Sequence, residues 1–191
     1  SGGGPIMRDK LWFFASGRVQ TNQNYIAGLF SNTNAGDPTK WTYAANPADQ
    51  GFFAITQKGI DGRLTWQASQ RNKLGLLWSE QVSCYCPELT SATMAPESAI
   101  DRSFRPNRTV LVDWTSPLTS RVLLEAGFLS RTEAPTRRVP DPDVNPLMVA
   151  VTDHGLGNLT YRAFPGELRN VTLKHTIYRA AVSYVTGSHA F

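Results

Sequence analysis

The segment 107–133 carries the clearest pattern in the chain, two runs of alternating apolar and polar residues on either side of a short turn at 116–120. Successive side chains of a strand face opposite sides of a sheet, so each run predicts a strand with one apolar and one polar face. The short turn joins the two strands as an antiparallel hairpin. The apolar positions are Val110, Val112 and Trp114 before the turn and Val122, Leu124, Ala126 and Phe128 after it.

The same alternation predicts four further strands, at 11–21, 60–68, 74–83 and 176–185, and a short strand within a loop at 147–152. The main strands have about nine to eleven residues, which suffices to cross a bilayer at the usual tilt, whereas strands of soluble sheets more often have about five or six. The sequence therefore predicts an all-β fold, an antiparallel up-and-down meander of about six to seven long strands.

The connections between the predicted strands alternate in length. A meander brings connections of one kind to one end of the sheet, and short turns at one end with long loops at the other are typical of transmembrane β-barrels. We therefore expect a segment of a large transmembrane β-barrel with short periplasmic turns and long extracellular loops. The short connections are 69–73, 117–120 and 186–189, and the long ones are 22–57, 84–106 and 134–174, the last containing a turn-rich VPDPDVNP run at 139–146.

Aromatic and charged residues fit the same hypothesis. Trp66, Trp114 and Tyr184 each lie close to a short turn, where a membrane-interface girdle would need amphipathic rings, whereas the parity of Trp12 puts it on the opposite face from Phe13. Charged residues concentrate on the non-apolar face, which suits a wet barrel interior better than a small dry core. These residues are Asp61, Arg63, Asp113, Glu125, Arg131 and Arg179.

Composition leaves a second fold open. The chain has 191 residues and a net charge of +4, spread too evenly for a nucleic-acid-binding surface, and it has no apolar run long enough for a transmembrane helix. A soluble β-sandwich or lipocalin-like barrel would show similar alternation. The first residues lack the charged start and apolar run of a signal peptide. The sequence also begins without Met and ends abruptly at His189-Ala190-Phe191, so we expect a piece of a longer chain.

The sequence offers little covalent or metal chemistry. Its histidines are scattered, and no serine or cysteine stands in a nucleophile motif, so we expect no enzymatic activity, no metal site and no cofactor. Cys84 and Cys86 form a lone C-x-C at a predicted strand end. A bond between them is expected to be strained, which leaves their redox state open.

Three segments resemble one family. GGPIMRDKLWFFAS at 3–16, DWTSPLTSRVLLEAGFLSR at 113–131 and SYVTGSHAF at 183–191 are similar, in the same order, to segments of TonB-dependent outer-membrane receptors of the Oar-like type. Trp12 stands where that family usually has Phe, and the Ser116-Pro117 pair comes early relative to its usual turn. The resemblance implies that residues 1–191 are part of a receptor β-barrel of about twenty-two strands in the bacterial outer membrane.

The resemblance also implies partners. These are outer-membrane lipid, a plug domain and the remaining barrel strands of the same chain, the TonB–ExbB–ExbD complex, and an imported ligand such as a siderophore or a carbohydrate. Aromatic side chains among polar loop residues suit such ligands, although packing of the loops against one another is the favoured explanation for them. The candidate ligand contacts are Tyr25, Phe30, Trp41, Tyr43, Tyr161 and Phe164. The alternatives are a soluble secreted carbohydrate-binding module and a passive porin or adhesin barrel.

Overall fold

A computed structural model describes residues 1–138, 148–186 and 189–190. This part of the chain contains β-strands and two single-turn 3-10 helices but no α-helix, which confirms the predicted all-β class. None of its helices is long and apolar enough to span a membrane. The strands are β1 (Gly2–Met7), β2 (Leu11–Asn32), β3 (Ala45–Gln67), β4 (Lys73–Glu88), β5 (Ile100–Pro117), β6 (Val122–Arg138), β7 (Val151–Asp153), β8 (Leu159–Tyr161), β9 (Leu173–Thr186) and β10 (His189–Ala190), and the 3-10 helices are Pro96–Ser98 and His154–Leu156.

Eight of these strands form one sheet in the order β1-β2-β3-β4-β5-β6-β9-β10, and β7 pairs with β8 inside the connection between β6 and β9. All neighbouring pairs are antiparallel. The predicted meander is therefore confirmed. Its six long strands, β2 to β6 and β9, have between 14 and 23 residues.

The sheet has one end with short connections, the turn end, and an opposite end with long connections, the loop end. The turn end carries 8–10, 68–72 and 118–121, and the loop end carries 33–44, 89–99 and 139–172. The predicted alternation is confirmed, but the predicted loop bounds are wrong because the strands run much further. The VPDPDVNP run and residues 187–188 of the last predicted turn lie outside the described residues.

The extra length of β2 and β3 comes from backbone pairing without apolar alternation. Their register continues from Asn22 opposite Ile55 to Tyr25 opposite Phe52 and shifts before Phe30. Gly28 has a φ of 73° in the irregular part, a conformation that side chains other than glycine seldom adopt. A strand without apolar alternation, such as this part of β2, can extend a ladder in this way because the hydrogen bonds join backbone groups, which every residue type except proline carries in full.

Prolines lie inside strands within the span 84–106, which was predicted as a loop. Pro87 lies in β4 and Pro106 lies in β5. The β5–β6 register shifts between Phe104 and Asn107, so Pro106 sits where the ladder is interrupted. A strand tolerates proline at such a bulge because no ladder hydrogen bond is lost there.

The cross-strand register confirms the two predicted faces. Phe13, Leu64, Leu76, Val112, Phe128 and Tyr178 lie opposite one another in successive strands and so share one face. Trp12 lies in the next row with Thr65 and Asp113, on the other face. We call these the apolar face and the polar face. The members of the apolar face are Leu11, Phe13, Ala15, Val19, Ile60, Leu64, Trp66, Leu74, Leu76, Trp78, Val82, Val110, Val112, Trp114, Val122, Leu124, Ala126, Phe128, Tyr178, Ala180, Val182 and Tyr184.

The glycine-rich beginning of the chain forms a strand. Gly2–Met7 forms β1, which pairs with β2 from Gly2 opposite Ala15 to Met7 opposite Leu11. A Cβ on Gly3 would lie 2.7 Å from the carbonyl oxygen of Phe13. Glycine therefore permits a close approach of the two backbones.

Cys84 and Cys86 are joined by a disulfide. Both lie within β4 rather than in the predicted loop, with Cys84 opposite Thr56 of β3 and Ser103 of β5. Side chains two apart on a strand share a face, which lets the two sulfur atoms meet.

Candidate functional site

The apolar face is largely exposed. Tyr178 and Val182 on β9 are 77% and 66% exposed, and Phe13, Ile60, Leu64 and Leu76 are exposed as well. An apolar groove of about 480 Å³ lies on this face, lined by Leu11, Leu64, Trp66, Leu74, Gly75, Leu76 and Val112. Contiguous exposed apolar surface is typical of sites that contact a membrane or another protein.

The three predicted girdle residues lie on the apolar face near the turn end. Trp66 and Trp114 are both opposite Leu74, one from each side, and Tyr184 is opposite Val122. The indole N–H of Trp114 donates to the Asn72 side-chain oxygen at 3.0 Å. The polar group of the Trp114 ring is thus directed toward the turn end.

The polar face carries paired charges. The guanidinium of Arg63 lies 3.9 Å from the Asp113 carboxylate, and that of Arg179 lies 3.5 Å from the Glu125 carboxylate. Asp61 accepts hydrogen bonds from Ser16 and Ser79 at 3.3 and 2.6 Å. All six acidic and basic residues predicted for this face are on it, since their register rows alternate with those of the apolar face.

At the loop end the long connections are tied together by backbone hydrogen bonds and a small core. The backbone N–H of Ala95 donates to the Thr160 carbonyl at 2.8 Å, and the N–H of Thr160 donates to the Thr93 carbonyl at 2.9 Å. Strand β8 therefore holds the 89–99 connection against the end of the sheet. The core consists of Leu29, Ala95, Leu159 and Tyr161, with Ile26, Tyr43 and Val151 packed on it.

Two of the predicted ligand contacts help build this core. The rings of Tyr43 and Tyr161 are 5.6 Å apart. The Tyr43 hydroxyl donates to the Phe30 carbonyl at 2.6 Å, and the Tyr161 hydroxyl donates to the Trp41 carbonyl at 2.9 Å. Tyr161 is 3% exposed and lies in β8. Both tyrosines thus have their polar groups satisfied by the backbone and pack the loops together.

Trp41 is different, because the residue as a whole is 56% exposed while one face of its ring is covered by a charge. The guanidinium carbon of Arg162 lies 3.7 Å from the centre of a Trp41 ring. Arg162 itself is 2% exposed. Its side chain donates to the carbonyls of Pro38, Lys40 and Val149 at 2.7, 2.9 and 3.3 Å. The indole is therefore held in place with its other face turned outward.

The remaining predicted contacts are Tyr25, Phe30 and Phe164. Tyr25 and Phe30 were expected in a loop, but both lie in β2. Tyr25 is exposed and makes an edge contact with Phe52, with ring centres 5.9 Å apart. Phe164 is half-buried, with its ring close to Gly166.

Three titratable side chains at the loop end have shifted pKa values. Burial raises the pKa of the Glu97 carboxyl, and hydrogen bonds from its own backbone N–H and that of Arg162 and from Asn32 oppose the rise. Burial also raises the pKa of Tyr43, to which the nearby Glu97 contributes. At the exposed edge, hydrogen bonds from Thr39 hold the pKa of Asp37 below its ordinary value.

A second cleft, of about 300 Å³, lies beside the loop core. It is lined by Ser31, Asp49, Gln50, Gly51, Phe52, Cys86, Pro87, Pro96 and Asp101. Ser31 donates to Asp49, and the Arg138 guanidinium lies 3.4 Å from the Asp101 carboxylate. Among the described residues, no group of three or more His, Cys, Asp or Glu side chains could hold a metal ion.

No family model, curated protein or solved structure matches this chain. Sequence reasoning had identified Trp41 but missed Arg162, its buried partner. The sequence carries no local signal for that contact, because Arg162 and the Pro38 carbonyl are 124 positions apart. Glu97 was missed for the same reason, since its burial depends on segments distant in sequence.

Proposed function

We propose that this chain forms part of the wall and the extracellular loops of a TonB-dependent outer-membrane transporter that binds and imports a ligand such as a siderophore or a carbohydrate. The exposed apolar face carries this proposal. At about 3.4 Å per residue, the apolar positions run about 27 Å along β2 and about 20 Å along β6. At a strand tilt of about 40°, these lengths correspond to roughly 21 and 16 Å across the membrane. Outer-membrane barrels have an apolar band of about 25 Å.

The polar face supports the same proposal. Its ion pairs, Arg63 with Asp113 and Arg179 with Glu125, have half-exposed side chains suited to a hydrated interior. A soluble sandwich would instead cover the apolar face with a second sheet. In the described residues, the buried core is confined to the loop end and leaves that face open.

The loop end supports the ligand-binding part of the proposal. Its connections are long, folded and tied together, and they present an exposed aromatic ring and a mixed polar and apolar cleft. Small-molecule sites commonly combine such apolar surface with a few placed polar groups. The resemblance of 3–16, 113–131 and 183–191 to TonB-dependent receptors supports energised import rather than passive diffusion.

Two adjacent residues of β5 provide a test of membrane placement. Val112 lies on the apolar face. Leu111 lies on the polar face, which it shares with Asp113, two positions further along β5. In the whole protein that contains this chain, Val112→Arg should cost about 2–4 kcal/mol of stability in the bilayer, whereas Leu111→Arg should cost much less. The measurement is the folded fraction in outer-membrane preparations, read from the heat-dependent mobility of the barrel.

Equal loss of folded protein in both variants would contradict the proposed orientation. Recovery of the wild-type protein as a sheet-rich monomer in plain buffer would instead support the soluble carbohydrate-binding alternative. Ligand uptake should stop when TonB is removed, and uptake that persists without TonB would indicate a passive porin.

A further inference from the structure

At the loop end, the ring of Trp41 has a buried cation against one of its two faces. The guanidinium carbon of Arg162 covers the inner face of Trp41 at 3.7 Å from a ring centre, and Trp41 as a residue is 56% exposed. We propose that the outer face of Trp41 is a stacking site for a planar, electron-rich aromatic ring that carries negative charge. This deepens the proposed function by naming the ligand class, and it rests on that proposal only in treating the loop end as a ligand-binding surface.

The site is preorganised. Three backbone carbonyls fix the Arg162 guanidinium, and two of them, Pro38 and Lys40, belong to the segment that precedes Trp41. The Tyr161 hydroxyl fixes the Trp41 carbonyl itself. A ligand therefore need not pay for ordering either the backbone or the cation, which favours binding.

The charge beneath the ring determines what should stack above it. The face of an indole is normally negative and attracts cations. Here a buried guanidinium already occupies the inner face and draws the π electrons toward itself. A second cation on the outer face would meet a depleted ring and the repulsion of Arg162. An electron-rich ring with a carboxylate or phenolate group would be attracted both by the depleted ring and by the positive charge of Arg162.

The charged side chains near the site do not cancel the attraction of Arg162 for an anion. Lys40 lies 3.8 Å from the Asp37 carboxylate, so these two exposed charges largely offset each other. The Glu97 carboxylate contacts Arg162 at its backbone N–H, with 3.5 Å between Glu97 Oε1 and the Arg162 nitrogen, rather than at its guanidinium. The guanidinium is bonded to neutral carbonyls and keeps its charge toward the ring.

The test uses three probes with the same phenol ring and different charge: 4-hydroxybenzoate, 4-hydroxybenzyl alcohol and 4-hydroxybenzylamine. Each is titrated by calorimetry into the whole protein in detergent at neutral pH, with glucose as a non-aromatic probe. We expect the anion to bind best, about tenfold more tightly than the cation, and added salt to reduce this difference. Trp41→Ala should weaken anion binding about tenfold.

Leu156→Ala is the matched control, because Leu156 is also an exposed apolar side chain of the loop end. It should leave the affinity unchanged. The inference is overturned if the amine binds as tightly as the anion, if glucose is preferred, or if Trp41→Ala binds the anion normally. These outcomes are separate from membrane placement: a protein that inserts and lacks this selectivity refutes the inference alone, and a soluble protein that shows it refutes the transporter proposal alone.

Discussion

At the residue scale, the loop end depends on buried polar side chains whose partners come from distant segments. The Arg162 side chain donates hydrogen bonds to three backbone carbonyls at the edge of the core. The burial of the Glu97 carboxylate is partly compensated by hydrogen bonds from the backbone N–H of Arg162 and from Asn32. Its Oε2 atom has no hydrogen-bond partner among the described residues. Removing a donor from such a set costs more than the hydrogen bond itself is worth.

Glu97 gives a prediction with a defined sign. Burial raises its pKa above the ordinary value of 4.5, so the folded state binds a proton more tightly than the unfolded state. The contribution of Glu97 to the unfolding free energy is therefore greatest below that ordinary value and is lost as pH rises through the raised pKa. Glu97→Gln should remove this dependence and should be more stable than wild type at neutral pH, by about 1 kcal/mol.

The measurement is the urea midpoint of the detergent-solubilised protein between pH 4 and pH 8. Glu167→Gln is the control, because Glu167 is an exposed residue paired with Arg169. It should keep the wild-type pH dependence. A Glu97→Gln variant that retains the full pH dependence would show that another group is responsible.

Close packing is also decided at single residues. A Cβ on Gly51 would lie 2.7 Å from Cδ2 of Leu29 and 3.2 Å from Cγ of Pro96. Leu29 is 2% exposed and has little room to move. Gly51 thus allows β3 to pass directly over the loop core, which joins the sheet to the long connections.

At the scale of elements, the β4 disulfide links two residues of one strand. Cys84 and Cys86 are two positions apart, so the bond closes a very small loop. The entropy that a disulfide removes from the unfolded chain grows with loop length. The strand is meanwhile held by ladders to β3 and β5 on both sides of Cys84.

We therefore expect the double variant Cys84→Ser/Cys86→Ser to assemble normally and to lose no more than about 1.5 kcal/mol of unfolding free energy. Urea denaturation of the double variant beside wild type measures this difference. Thiol alkylation before and after reduction verifies the bond in the wild-type protein. Failure of the double variant to fold would mean that the bond organises the loop end rather than one strand.

At the scale of the whole molecule, the sheet leaves an apolar face and an edge uncovered. Large side chains are exposed across β2, β3, β4 and β9, and β10 covers β9 at only two described positions. Exposed apolar surface and unpaired strand edges both favour association.

The chain 1–191 on its own should consequently form heterogeneous assemblies in plain buffer and bind detergent. Sedimentation velocity with and without a non-ionic detergent measures both effects. The same chain with Val112→Arg and Leu76→Arg on the apolar face should bind less detergent. A single sharp monomer peak in buffer would contradict the exposed apolar face as a membrane or assembly surface.

The sequence by itself determined which side chains of each main strand share a face of the sheet. A period of two is a local property, so Val110, Val112 and Trp114 are on one side whichever strand pairs with them. The meander and the contrast between turn end and loop end followed from the same pattern, because short connections leave neighbouring strands no alternative to antiparallel pairing.

Only the tertiary structure decided where the strands end and which loop residues meet. The polar part of β2 is a strand because β3 offers it backbone partners, and no side-chain pattern records that choice. The contact between Trp41 and Arg162 exists because β8 is carried back to the 33–44 loop. Such contacts are set by the packing of segments more than a hundred positions apart, so they are invisible to any local reading of the chain.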